Sequence, residues 1–179
     1  MALTSTIYNV IVELSDIDRA VYETLDLRLA MHPSESAEYL VTRLLAYCLE
    51  YGEGIEFTAG LSNGDEPAIV VRDLTGRVMS WIEVGMPDAD RLHRAAKLAD
   101  RVAVYTHRDI RNVLGQLQDR RIHRAAEIPI YTFGRGFIDD VAARLQRRMR
   151  MSLSVTERHL YLDVDGESMT TVVEEHHLS

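Results

Sequence analysis

The chain has 179 residues, with 20 Lys and Arg against 28 Asp and Glu, and 46% of its residues are apolar. This composition is ordinary for a globular domain with a full hydrophobic core. No apolar run reaches the ~18 residues of a membrane span, and Met1 to Val12 lacks the features of a signal peptide. We therefore expect a cytoplasmic protein with no membrane partner. Because no linker or repeat interrupts the chain, we expect one domain over residues 1–179.

The charge is unevenly distributed along the chain. A net charge of -8 argues against a protein that coats nucleic acid indiscriminately, since phosphate binding depends on Lys and Arg. Residues 91–150, however, carry 14 basic and 6 acidic side chains. This segment is either a surface that faces a polyanion or a set of solvated helix faces. The candidate phosphate contacts of this segment are Arg144, Arg147 and Arg148.

The chain has a single cysteine, Cys48, which excludes an intrachain disulfide.

The first part of the chain predicts an antiparallel strand pair followed by a helix. Ile7–Leu14 and Thr24–Ala30 alternate apolar and polar residues, as half-buried strands do. Ser34 is the predicted N-cap of a helix that ends before Gly52. Glu35 and Glu38 would place negative charge at the positive end of that helix.

The middle of the chain predicts a hairpin and then alternating helices and strands. Pro67–Arg72 and Val78–Val84 form the hairpin, and Asp88 caps a short helix before the strand Arg101–Tyr105. A strand, a helix and a strand imply a parallel pair. Further along we predict a helix over Arg108–Arg120, a strand over Ile128–Phe133, a helix over Phe137–Met149, and strands over Met151–Thr156, His159–Val164 and Ser168–Glu174. His176 and His177 are expected to lie in a frayed tail.

Acidic residues converge at the mouth of the predicted hairpin. Asp65 and Glu66 enter its first strand and Glu83 lies near the end of the second, so these carboxylates should face one cleft. Converging carboxylates favour either a raised pKa or a hard cation such as Mg²⁺ or Mn²⁺, although acids at strand ends usually only face water. Glu38 should approach the same cleft more closely than Glu35 does.

The helix after the hairpin carries basic side chains that suit a phosphate. On a helical wheel that starts from Leu92, His93 and Lys97 share an edge near the buried stripe, whereas Arg94 faces water. A lysine near a bound ion would stabilise an anion that develops on phosphate.

Several separated stretches resemble the YaeQ family of small bacterial proteins, in the family's order and at nearly its spacing. The resemblance extends from the N-terminus to the terminal hairpin. It is carried by Ala30-Met31-His32-Pro33-Ser34-Glu35, Arg43-Leu44-Leu45-Ala46, Glu56-Phe57-Thr58-Ala59-Gly60-Leu61, Asp65-Glu66-Pro67 and Trp81-Ile82-Glu83-Val84-Gly85-Met86-Pro87-Asp88.

The resemblance implies a restriction-endonuclease-like core of the PD-(D/E)XK type, with a mixed central sheet flanked by helices and antiparallel strands from both termini. The wider superfamily places Glu-x-Lys on the second strand of the hairpin, but here Gly85 follows Glu83 two residues later. The family shares this glycine and offers a basic pair on the next helix, at the positions of His93 and Arg94. Ala68 stands where the family commonly has another acid.

Two functions of different classes follow. The first is a weak divalent-metal-dependent phosphodiesterase on nucleic acid. Its catalytic residues would be Glu38, Glu66, Glu83 and Lys97, its metal ligands Glu66, Glu83 and Asp65, and its phosphate contacts His93, Arg144, Arg147 and Arg148. The second is a catalytically inactive module on the same scaffold that binds nucleic acid, a protein or a small anion.

Overall fold

The computed structural model describes residues 4–59 and 65–179. Gly60 and Leu61, which end one of the family-like stretches, and the three N-terminal residues lie outside the described residues. The chain divides into two compact units. The first unit contains the residues up to Leu44 together with Phe133–Glu174, and the second contains Leu45–Thr132 and Glu175–Ser179. A single domain over the whole chain stays a prediction.

The described elements alternate between strands and helices through the middle of the chain. In chain order they are β1 (Thr6–Asp16), β2 (Val21–Met31), α1 (Ala37–Glu50), β3 (Ile55–Phe57), β4 (Ile69–Arg72), β5 (Val78–Val84), α2 (Ala89–Leu98), β6 (Arg101–Thr106), α3 (Ile110–Leu117), a 3₁₀ turn (Ala125–Glu127), β7 (Ile130–Thr132), α4 (Phe137–Ala142), β8 (Arg148–Thr156), β9 (His159–Val164), β10 (Glu167–Val172) and β11 (Glu174–His176).

The first unit is built on a five-stranded sheet with the order β10-β9-β8-β1-β2. β1 pairs with β2 antiparallel, as predicted, and with β8 in parallel. Along β1, Val10, Val12 and Leu14 are buried, and the residues between them lie on the opposite face of the sheet. β1 and β2 from the start of the chain therefore share one sheet with β8, β9 and β10 from its last third, which the alternation of each strand alone does not show.

The second unit is built on a six-stranded sheet with the order β11-β7-β6-β5-β4-β3. β4 and β5 form the predicted antiparallel hairpin, and β5, β6 and β7 run parallel. Leu92 and Ala95 of α2 pack with Val113 and Leu117 of α3 in the core beside this sheet. The α/β class with a mixed sheet and flanking helices is confirmed, with two mixed sheets in place of one.

Two predicted helix ends are wrong. The N-cap of α1 is Ser36, whose Oγ accepts from the Tyr39 N–H at 3.1 Å, whereas Ser34 contacts the His32 ring. α4 ends at Ala142 instead of continuing to Met149. Arg148 already belongs to β8, because the apolar alternation that begins at Met149 fits a strand that pairs with β1. Asp88, in contrast, is the N-cap of α2 as predicted.

The C-terminal tail is ordered, so the prediction of a frayed end is wrong. β11 lies beside β7 in the second sheet. His176 Nε2 lies 3.0 Å from Thr132 Oγ1, and His177 Nδ1 lies 3.0 Å from the Ala126 carbonyl. Leu178 is buried in the core that contains Leu92. The burial of the Leu178 side chain therefore stabilises the position of the C-terminal tail.

Candidate functional site

Glu83 is the buried acid of the second unit, and an arginine that the sequence analysis did not single out neutralises it. The Glu83 side chain is only 6% exposed. Its Oε1 accepts from Arg91 Nε at 2.7 Å and from Trp81 Nε1 at 2.6 Å. β5 positions the acid and the indole two residues apart on one face, and the first turn of α2 supplies the guanidinium. One oxygen of Glu83 therefore has two strong donors.

The electrostatics of this pair are those of a buried ion pair. Burial raises the pKa of Glu83 above its ordinary value, and the Arg91 guanidinium and the Trp81 N–H oppose that rise. The negative charge of Asp88 adds to the rise. Asp88 also accepts from the Arg91 backbone N–H at 2.8 Å. Arg91 thus serves two acids, one through its side chain and one through its main chain.

Arg91 contacts residues on both strands' sides of the hairpin mouth, Glu66 and Glu83. Its guanidinium also donates to the backbone carbonyl of Glu66. Arg91 therefore connects the start of the hairpin's first strand with the acid near the end of its second strand. Glu66 is half-buried and Asp65 is exposed. Arg91 thus contacts the backbone carbonyl of Glu66 and the carboxylate of Glu83, and a metal ion shared by the two carboxylates stays a prediction.

A Mg²⁺ or Mn²⁺ ion at this place would have to compete with Arg91 for the Glu83 carboxylate. Such ions require several oxygen ligands, and the oxygen of Glu83 that faces Arg91 and Trp81 is committed to two donors. Within residues 4–59 and 65–179, no group of three or more His, Cys, Asp or Glu residues is placed to hold a metal ion. The Arg91 guanidinium supplies a positive charge beside the Glu83 carboxylate.

Gly85 stands where the PD-(D/E)XK pattern would place a lysine, and its backbone conformation disfavours one. Its φ is +93°, a region that glycine adopts easily and other residues avoid. Its N–H donates to the Tyr105 carbonyl of β6 at 2.9 Å, so this conformation is fixed by the sheet. A lysine at this position would be strained. Ala68, where the family commonly has an acid, is 3% exposed, and a carboxylate there would be buried.

His93 and Lys97 lie on the same edge of α2, as the helical wheel predicts, and other basic residues join them. The pKa of His93 is lowered by desolvation and then by the charges of Lys97, Arg121 and His123. His93 Nδ1 accepts from the His123 backbone N–H at 3.0 Å. Lys97 is exposed. The second unit thus presents a small cluster of basic side chains on this edge of α2.

The three arginines predicted to bind phosphate are separated by the early end of α4. Arg144 is paired with Glu167 and donates to the Asp140 carbonyl at 2.7 Å. Arg147 and Arg148 instead line one cavity of about 420 Å³ in the first unit, together with Asn9. Arg147 Nε donates to the Ile7 carbonyl at 3.0 Å. Only two of the three arginines therefore share a concave surface.

Glu35 is buried and Glu38 is half-buried. The Glu35 side chain has an oxygen that accepts from the His32 N–H at 3.3 Å. Burial raises its pKa, and the charge of the buried Arg43 opposes that rise. Glu38 belongs to the first unit and Glu83 to the second, and a shared site for the two stays a prediction.

A second ion pair, which is half-buried, was also missed. Arg101, the first residue of β6, forms two hydrogen bonds to Glu50, at 2.8 and 3.1 Å. The Tyr105 hydroxyl donates to the same carboxylate at 2.7 Å. Burial lowers the pKa of Arg101, but the Glu50 charge more than offsets this and the net shift is upward. Arg101 and Tyr131 line a polar cavity of about 330 Å³ in the second unit.

One signal in the sequence points to Arg91. It follows the capping Asp88 by three residues and therefore lies in the first turn of α2, next to the carboxyl end of β5. An arginine in that turn reaches a carboxylate near the end of the preceding strand. Glu50 and Arg101 carry no comparable signal, because the two residues are 51 positions apart in the sequence.

The fold and the site define a mixed α/β protein with a buried glutamate–arginine pair at its second sheet. The family model described as YaeQ protein matches residues 1–173, and the chain therefore belongs to the YaeQ family. It is 30% identical over 170 residues to "Uncharacterized protein YaeQ" of Escherichia coli (strain K12), with 94% of each chain covered. The relative of the same description from Salmonella typhi is 30% identical over 163 residues, 90% of each chain.

Two solved structures share the fold. The crystal structure of YaeQ protein from Pseudomonas syringae superposes with a TM-score of 0.86 at 30% identity, over 96% of this chain and 95% of that one. The YaeQ protein from Xanthomonas axonopodis pv. citri gives 0.84 at 28% identity, over 98% and 100%. Among the residues that the structure describes, no helix is long and apolar enough to span a bilayer.

Proposed function

We propose that this chain is a nucleic-acid-binding module on a restriction-endonuclease-like core that does not cleave its ligand. The observation that carries the proposal is the ion pair between Glu83 and Arg91. In a PD-(D/E)XK enzyme the corresponding acid would hold a metal ion. Here a guanidinium occupies one of its oxygens, and Gly85 replaces the lysine in a backbone conformation that disfavours one.

The topology supports the proposed core. An antiparallel hairpin, β4 and β5, carries Glu66 before its first strand and Glu83 near the end of its second. α2 then connects β5 to the parallel strand β6. The superfamily places its acids at such positions, which supports the proposed core, while the chemistry of the acids differs.

The basic side chains support a polyanion as the ligand. His93, Lys97 and Arg121 form a cluster in the second unit, and Arg147 and Arg148 line a cavity in the first. Since the chain carries a net charge of -8, we expect weak binding with a strong dependence on salt. Such binding rests on side chains already present and requires no metal ion.

The test is binding and cleavage measured in the same samples. Fluorescence anisotropy of labelled single-stranded and duplex DNA and RNA is recorded with EDTA, Mg²⁺ or Mn²⁺, and the strands are then examined on a denaturing gel. We expect binding that weakens with salt, similar affinity with EDTA and with metal after correction for ionic strength, and intact strands. Absence of binding to every nucleic acid would overturn the proposal.

The competing function is the metal-dependent phosphodiesterase that uses Glu38, Glu66, Glu83 and Lys97. It requires Arg91 to leave the Glu83 carboxylate. Mn²⁺-dependent cleavage that is present in the wild type and lost in both Glu83→Gln and Lys97→Ala would establish it in place of the binding module. Cleavage that survives in both variants would indicate a contaminant and is removed by further purification before binding is scored.

A further inference from the structure

One face of the five-stranded sheet in the first unit is open. The register places each residue of one strand directly opposite a residue of the next, so side chains that share a row share a face. The open face is lined by four residues of β1, four of β8, and the residues opposite them in β2 and β9. They are Asn9, Ile11, Glu13 and Ser15 of β1, Arg148, Arg150, Ser152 and Ser154 of β8, Tyr22, Thr24, Asp26 and Arg28 of β2, and Tyr161 and Asp163 of β9. None of these side chains is buried.

One end of the open face is aromatic. Tyr22, Ser15, Ser154 and Tyr161 stand in one row across four strands. Tyr22 is 62% exposed and Tyr161 is 50% exposed. Three strand spacings of about 4.8 Å separate the two tyrosines by roughly 14 Å, with small serines between them. The two tyrosines therefore flank a shallow trough with a polar floor.

The exposed apolar side chains of this unit collect at the same end. Ile17 follows β1 directly, and its N–H still donates to the Val155 carbonyl of β8. Val172 of β10 lies opposite His159, in the row beyond Tyr161. Among the described residues of the first unit, these two and the two tyrosines are all of the large exposed apolar side chains. Their grouping marks a contact surface.

The other end of the open face is cationic and concave. Arg28, Asn9 and Arg148 stand in one row, six residues along β1 from Ser15, or about 20 Å at 3.3 Å per residue. The cavity of about 420 Å³ that Asn9, Arg147 and Arg148 line opens here. Guanidinium groups bind phosphate oxygens with paired N–H donors.

We propose that this open face binds single-stranded nucleic acid, with unstacked bases on Tyr22 and Tyr161 and phosphates at Arg28, Arg147 and Arg148. The inference rests on the proposed function and names its surface and ligand. A duplex does not suit the tyrosines, because its bases are stacked on one another, whereas single strands offer a free ring face at every base. The length of about 20 Å accommodates the shorter end of known single-strand sites of about 4–16 nucleotides.

Three acidic side chains, those of Glu13, Asp26 and Asp163, lie between the two ends of the open face. Glu13 is paired with Arg150 at 3.2 Å, and Asp163 accepts from the Ser168 hydroxyl at 2.8 Å. Carboxylates accept hydrogen bonds from the amino groups of bases, as they do from cytosine. In the proposed complex, the row that contains Glu13 and Asp163 faces the edges of the bases. The phosphates lie at the end of the face that carries the arginines.

The test of the aromatic end uses a labelled strand of about 15 thymidines or uridines, near the upper site size for one domain. Tyr22→Ala and Tyr161→Ala should each weaken anisotropy-detected binding by about 5-fold to 150-fold, the equivalent of the ~1–3 kcal/mol of one stacked base. The slope of affinity against salt should not change. Leu74→Ala and Leu98→Ala, at exposed apolar positions of the second unit, are the matched controls and should bind like the wild type.

The test of the arginine end is the salt dependence itself. For single strands each phosphate contact contributes about 0.7 to the slope of log affinity against log salt. Replacing both Arg147 and Arg148 by Gln should therefore reduce the slope by about 1.4. The double variant Arg120→Gln with Arg135→Gln, at exposed positions outside the face, removes the same charge and should leave the slope nearly unchanged.

The outcomes separate this inference from the proposed function. If the wild type binds nucleic acid but the tyrosine variants bind equally well, the open face is not the site and the binding module stands. Equal affinity for duplex and single strand would also overturn the inference alone. If sedimentation shows a dimer that the tyrosine variants dissociate, without loss of nucleic-acid binding, the face serves a second copy of the chain and the inference is wrong. No binding to any nucleic acid overturns both.

Discussion

Replacing Arg91 by glutamine removes the cation from a buried carboxylate while it keeps a polar side chain of similar length. In the wild type, Arg91 Nε donates to Glu83 Oε1 at 2.7 Å, and the two side chains are 21% and 6% exposed. At an effective dielectric constant of about 20, two charges about 4 Å apart attract by about 4 kcal/mol. Breaking a buried pair by removing one partner typically costs about 3–5 kcal/mol, since the other charge stays buried.

We expect Arg91→Gln to lower the free energy of unfolding by about 3–5 kcal/mol at pH 7. For a chain of this size, that corresponds to a melting temperature lower by roughly 6–20 °C. The matched control is Arg94→Gln, three residues further along α2 and exposed, which should change stability by less than about 0.5 kcal/mol. Urea denaturation followed by the fluorescence of Trp81 measures both variants.

The pH dependence identifies Glu83 as the cause. Burial raises the pKa of Glu83 in the folded state, so the folded protein holds this proton to higher pH than the unfolded chain does. Stability from this group therefore falls as pH rises from the ordinary value of 4.5 through the raised one. Because Arg91 opposes the rise, its loss raises the pKa of Glu83 further, and the cost of Arg91→Gln should grow from pH 4 to pH 8.

A double-mutant cycle can refute this reasoning. In Glu83→Gln the amide oxygen still accepts from the indole, but no charge remains for Arg91 to neutralise. We expect Arg91→Gln to cost at least about 2 kcal/mol less in that background than in the wild type, within the range of coupled neighbours. An equal cost in both backgrounds, or a cost that does not vary with pH, would show that Arg91 stabilises the fold by packing alone.

Three further predictions test other parts of the chain. Glu50→Gln breaks the ion pair at the start of β6 and should destabilise by about 2 kcal/mol in urea denaturation, whereas the exposed Glu53→Gln should not. Leu178→Ala removes a buried side chain of the C-terminal tail and should cost about 2–5 kcal/mol, with proteolysis of the tail as a second measurement. Gly85→Ala should destabilise by about 1–3 kcal/mol because of the positive φ, but Gly115→Ala within α3 should stabilise by about 0.5–1 kcal/mol.

Elements with a strong local pattern were predictable from the sequence. The hairpin of β4 and β5 is recognised from two apolar runs around the turn at Asp73–Gly76, where the Gly76 N–H donates to the Asp73 carbonyl. The start of α2 is recognised because Asp88 is followed by a helical apolar stripe. Both signals involve residues that are neighbours in sequence, and neighbours are what periodicity reports.

The end of α4 and the composition of the two sheets were not predictable in this way. Val141, Leu145 and Met149 repeat every four residues, which suits a helix, but Met149, Met151 and Leu153 also repeat every two, which suits a strand. The strand prevails because β8 pairs in parallel with β1, whose residues are more than 130 positions away. No local pattern contains that partner, so the helix was predicted about seven residues too long.

The candidate site shows the same division between local and distant information. The sequence placed Glu83 near the end of β5, which the structure shows, and Glu66 at the entry to β4, which in the structure begins three residues after it at Ile69. That Arg91 neutralises Glu83 depends on how α2 lies against β5, so the place of Arg91 in the first turn of α2 becomes informative only once both elements are positioned. Either a guanidinium or a divalent cation can neutralise the Glu83 carboxylate. The need for a positive charge therefore does not indicate which of the two is present.

The geometry distinguishes the two cations. A divalent ion needs several oxygens around a single point, whereas a guanidinium is planar and can donate to a carboxylate on one side and a carbonyl on another. Arg91 does the latter, because it contacts the Glu83 carboxylate and the Glu66 carbonyl. The side chain that neutralises the acid therefore also connects α2 to both ends of the hairpin. The cation here contributes to holding the scaffold together, and the proposed phosphate contacts are assigned to other basic residues of the chain.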